Sequence, residues 1–82
     1  MKVVLLGQAR EALDEIYEPV LARVVRRLRM LERFPELGAP MLGPFAGYRS
    51  TVVDMFRIVY RLRPRKLIEV AYIRDCRRAP LT

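Results

Sequence analysis

Histidine and tryptophan are absent from these 82 residues, cysteine occurs once, and lysine supplies only two of the sixteen cationic side chains. Without histidine, imidazole-based acid–base catalysis has nothing to run on, and a zinc site loses one of its two commonest ligands. Cys76 has no partner for an internal disulfide. Its neighbours Arg74, Arg77 and Arg78 favour a thiolate, but no base or second cysteine accompanies it, so it reads as incidental. Long apolar runs are missing too. Val3 to Leu6 falls far short of the roughly 20 residues that span a bilayer, and is too short for the apolar region of a signal peptide. No metal, no cofactor and no membrane partner is therefore expected, and the expected location is the cytoplasm.

What is present is arginine and apolar residue. Apolar side chains make up 52% of the chain, enough to offset the entropy of ordering, and the length suits one domain over residues 1–82. The formal charge is +7, and nearly all of the excess lies beyond residue 48. Arginine grips phosphate in a two-pronged fashion and stacks on bases, so an anionic partner is the natural inference. The competing reading is an ordinary solvated surface in an arginine-rich proteome.

Periodicity divides the chain. Val3 to Leu6, ended by Gly7, suits a buried strand. Ala9, Ala12, Leu13, Ile16 and Tyr17 follow helical spacing, which predicts a helix up to Glu18. Pro19 fits the first turn of a second helix, whose stripe is Val20, Val24, Leu28 and Leu31 and whose end is Phe34-Pro35. Gly38 to Gly47 reads as a loop. Tyr48 to Val53, Phe56 to Leu62 and Leu67 to Ile73 then alternate with period two, separated by Asp54-Met55 and by Arg63 to Lys66. The expected fold is α+β, in the order β-α-α-β-β-β, with a helical hairpin packed on one face of a small, mainly antiparallel sheet.

Alternation sorts the candidate site residues. Phe56, Ile58, Tyr60 and Leu62 belong under the helices, leaving Arg57 and Arg61 on the opposite face. If Arg49 shares the face of Arg57, a cationic patch forms there, closed by Arg74, Arg77 and Arg78 after the last strand. Such a face suits phosphate contacts, and fixed arginines could stabilise charge during attack by a ribose 2′-hydroxyl. The competing reading is a solvated sheet face protected from edge pairing. Tyr48, beside Arg49, is a candidate for stacking on a base, while Tyr60 reads as core.

Leu37-Gly38-Ala39-Pro40, Tyr48-Arg49, the run Phe56 to Arg61 and the run Ile73 to Arg78 together resemble the RelE/ParE toxin family over essentially the whole chain. The resemblance implies the toxin of a type II toxin–antitoxin module, neutralised by a cognate antitoxin, as a homodimer or a toxin–antitoxin hetero-oligomer. One branch of that family cleaves messenger RNA on the ribosome; the other inhibits DNA gyrase. Arg57, Arg77 and Arg49 fall at or near the positions of the ribonuclease branch's cationic residues, and the nucleic-acid-binding set the resemblance suggests is Arg49, Arg57, Arg61, Arg74, Arg77, Arg78 and Tyr48. Arginine density points first to ribosome-dependent cleavage by a metal-independent endoribonuclease, with gyrase inhibition as the alternative and a non-toxin RNA-binding module as the third reading. Thr51 stands where that branch carries a second lysine, and its C-terminal tyrosine or histidine has no counterpart.

Overall fold

The computed structural model of the chain describes residues 1–77. Strand β1 (Lys2–Leu5) opens the fold and runs straight into helix α1 (Gly7–Asp14), followed by helix α2 (Val20–Arg33). Then come a two-residue strand β2 (Ala39–Pro40), a single 3-10 turn at Gly43–Phe45, and strands β3 (Arg49–Val53), β4 (Phe56–Arg63) and β5 (Leu67–Asp75). The five strands form one mixed sheet in the order β1-β5-β4-β3-β2, with only the β1–β5 pair parallel. Both helices lie on one face, α1 over β5 and α2 across β1 and β3. The expected α+β arrangement holds, with β2 as an addition inside the segment read as loop.

The core is built from the stripes the sequence shows. Ala9 and Ile16 from the first helical region, with Val24, Leu28 and Leu31 from α2, meet Val53, Ile58, Tyr60, Ile68, Val70 and Ile73 of the sheet. Helix α1 is shorter than its apolar spacing predicts, ending at Asp14, so Tyr17 leaves the stripe and stands 83% exposed. A β-bulge interrupts the β4–β5 ladder: Val59 faces Tyr72 while Tyr60 faces Val70, which makes Ala71 an extra residue. The bulge resets alternation in β5, placing Val70 and Ile73 on the helix side and Tyr72 on the outer side. Among the described residues, no helix is long and apolar enough to cross a membrane.

Candidate anion-binding face

Register decides which arginines can work together. Asp54-Met55 is a two-residue connection, so Val53 sits directly opposite Phe56, Thr51 opposite Ile58 and Arg49 opposite Tyr60. Directly opposed residues share a face. Arg49 therefore lies on the helix side with Tyr60, which corrects the expectation that it joins Arg57. Its guanidinium donates to the carbonyls of Glu36, at 3.3 Å, and Gly38, at 2.7 Å, and ties β3 to the turn before β2. Thr51 is likewise on the buried side, where its hydroxyl accepts a hydrogen bond from Arg27 of α2.

The outer face, free of helices, carries Ser50, Val52, Arg57, Val59, Arg61, Glu69, Tyr72 and Arg74. Arg57 and Arg74 are direct cross-strand partners. Arg57 donates from Nη1 to Ser50 Oγ at 3.1 Å, and Arg74 lies 5.8 Å from the centre of the Tyr72 ring. Neither makes an ion pair among the described residues. Two rows along, Arg61 differs: it is paired with its cross-strand partner Glu69 at 2.8 Å and lies over the ring of Tyr48. The Glu69 hydrogen bond holds the Arg61 proton more firmly than in a free arginine.

The segment before β3 folds onto this face. Positive φ angles at Gly43 and Gly47 let the 3-10 turn carry Phe45 back over the sheet, where its ring meets Tyr48 and Tyr72 edge-on. Val59 is fully buried yet lies outside the helix-side core. Tyr48 is thus half-buried in an aromatic group with Phe45 and Tyr72, with Arg61 at one end and Arg74 at the other. Sequence reasoning missed Phe45 and Ser50. The first had no periodic signal inside a glycine- and proline-rich loop; the second was available, because a two-residue turn already dictates that Ser50 and Arg57 share a face.

Arg77 is committed elsewhere. Its Nε and Nη2 donate to the two carboxylate oxygens of Asp75 at 3.0 and 2.8 Å, and this grip raises its proton affinity. Arg78 lies outside the described residues. A separate cleft of about 520 Å³ opens between α1 and the end of β5. Glu11, Glu15 and Asp75 line it together with Arg74 and Arg77, so its wall carries both signs of charge. Cys76 is exposed, and no group of three or more potential metal ligands occurs among the described residues.

Comparison with known proteins accounts for the architecture. No curated protein matches by sequence. Among solved structures, the RelBE2 toxin–antitoxin complex of Mycobacterium tuberculosis contains a chain of 25% identity and TM-score 0.81, covering 90% of this chain and 95% of that one. The intact RelBE complex of E. coli matches at 15% identity and TM-score 0.77 (94% and 98% covered), and isolated E. coli RelE at 14% and 0.78 (98% and 88% covered); these two speak to fold alone. The family model described as the ParE toxin of the type II toxin–antitoxin system parDE matches residues 3–80. The chain therefore belongs to the ParE toxin family and is the toxin of a type II toxin–antitoxin module.

Proposed function

We propose that this toxin acts by binding rather than by cutting, as a ParE-like inhibitor of DNA gyrase that presents its outer sheet face to the target. The observation that carries this reading is the dispersal of the three arginines that RNA cleavage would need. Arg49 is spent on main-chain carbonyls on the helix side, Arg77 is held by Asp75, and only Arg57 stands on the open face. Around Arg57 that face offers fixed positive charge but no histidine or lysine as general base, since its lysine, Lys2, stands opposite Leu67 at the other end of the ladder. Positive charge without a base suits recognition of an anionic, nucleic-acid-bearing target.

A cognate antitoxin completes the proposal, in line with the complexes formed by the structural relatives. Val4, Leu6, Met30, Phe34 and Leu37 are exposed apolar side chains that such a partner would cover. Ribosome-dependent messenger RNA cleavage stands second, favoured by the direct opposition of Arg57 and Arg74, which could stabilise charge on a phosphate in flight. Family membership leaves the non-toxin RNA-binding module without support.

Purified toxin added to gyrase should block supercoiling of a relaxed plasmid while ribosome-bound transcripts stay intact. Undiminished supercoiling would sink the proposal, and codon-specific transcript cuts would transfer it to the second reading.

A further inference from the structure

We propose that Arg57, Arg74 and Ser50 form a built phosphate site on the outer face, taking the phosphodiester of a nucleic-acid strand. The proposal rests on the outer face being the toxin's working surface. Two guanidinium groups directly opposed across an antiparallel pair repel one another, and a fold ordinarily relieves this by placing a carboxylate opposite. The same ladder does so two rows away, where Glu69 faces Arg61. Arg23 and Arg77 also have carboxylate partners. Arg57 and Arg74 have none among the described residues, and each is steadied by a neutral group instead.

Neutral anchors fix direction without cancelling charge. The Ser50 hydroxyl accepts from Arg57 at 3.1 Å, and a hydroxyl that accepts retains its own proton to donate. The Tyr72 ring, braced by Phe45, lies beneath Arg74. Arg57 stands on β4, the central strand of the sheet, Arg74 on the neighbouring β5, and Ser50 on β3, paired on both sides. The result is two forked cations and one hydroxyl on one face, held from three neighbouring strands. Little side-chain entropy remains to be lost when an oxyanion arrives. Carboxylate-free charge, neutral supports and a rigid base are what a phosphate requires, and an ordinary solvated arginine surface needs none of them.

The test uses the full chain with fluorescein-labelled oligothymidylate, read by anisotropy over a salt series, and inorganic phosphate, read by thermal shift. Arg57→Gln and Arg74→Gln should each weaken oligonucleotide binding about tenfold. Each should also lower the slope of log affinity against log salt by about 0.7. Ser50→Ala should weaken binding severalfold with the slope unchanged, and Ser50→Thr should restore it. Arg74→Gln should melt no lower than wild type, because it removes a like-charge opposition. Arg26→Gln with Arg29→Gln on α2 serves as a control for diffuse charge and should leave affinity within about twofold. An equal loss from that α2 control overturns the site, as does an Arg74→Gln variant that melts lower but binds normally. Stabilisation by phosphate without oligonucleotide binding assigns the site to a free phosphate and overturns the nucleic-acid strand. A gyrase assay that fails while these results hold would remove the target assignment alone.

Discussion

Tyr60 ties the turn before β2 to the core. Its side chain is fully buried, its hydroxyl donates to the Pro35 carbonyl at 2.8 Å, and it accepts from the Gly38 N–H at the same distance. Position 38 must be glycine for this to work, since a Cβ there would stand 2.8 Å from both the Tyr60 hydroxyl and the Ser50 carbonyl. Tyr60→Phe leaves a buried N–H and a carbonyl without a partner, and unfolding in urea should show a loss of about 1–3 kcal/mol. Burial raises the Tyr60 pKa above that of a free tyrosine, against the opposing effects of the Gly38 hydrogen bond and Arg49. Because the folded-state value is the higher one, the stability carried by this proton is whole below about pH 10 and is lost as pH rises towards it. Wild type should therefore lose urea resistance above that pH more steeply than Tyr60→Phe; parallel curves would show that the phenol is not the responsible group.

At the scale of elements, the sheet is finished by side chains where strands stop short. Strand β1 ends at Leu5, and the Gln8 amide takes over its role: it accepts from the Ile73 N–H at 3.1 Å and donates to the Ile73 carbonyl at 3.3 Å. Arg27 does the same at the other edge, donating to the Val52 carbonyl, while Arg23 pairs with Asp54 in the β3–β4 turn. Gln8→Ala should cost about 1–2 kcal/mol and speed hydrogen exchange at the Ile73 amide, and unaltered protection there would mean that water replaces the glutamine. Helical stripes and strand alternation made the element order readable beforehand. The bulge at Ala71 was not readable, because nothing local in Val70-Ala71-Tyr72-Ile73 says which residue is the extra one.

For the whole molecule, the net charge of +7 is less informative than its pairing. Arg23, Arg61 and Arg77 are partly neutralised by carboxylates, whereas Arg57 and Arg74 face each other without one among the described residues. Replacing Glu69 with glutamine releases Arg61 and should strengthen binding of an anionic target severalfold, with a steeper salt dependence in the same anisotropy experiment. The Arg61–Glu69 pair is partly exposed, so the melting temperature should scarcely move. A variant that binds no more tightly would show that Arg61 lies outside the contact surface.

Order of elements, the apolar stripes and the family were legible in the chain itself, because 3.6- and 2-residue periods follow from local backbone geometry and from which side chains avoid water. The parity of β3 against β4 was legible too, since the two residues Asp54-Met55 oblige Val53 to meet Phe56, and this removes Arg49 from the outer face. Tertiary structure alone decided the site. Arg57 and Arg74 are seventeen positions apart and become neighbours only through the β4–β5 register, Tyr72 reaches the outer face only through the bulge, and Phe45 arrives there from a loop without periodicity. Contacts between distant segments depend on how strands pair and where they slip, and that information is spread over the whole core.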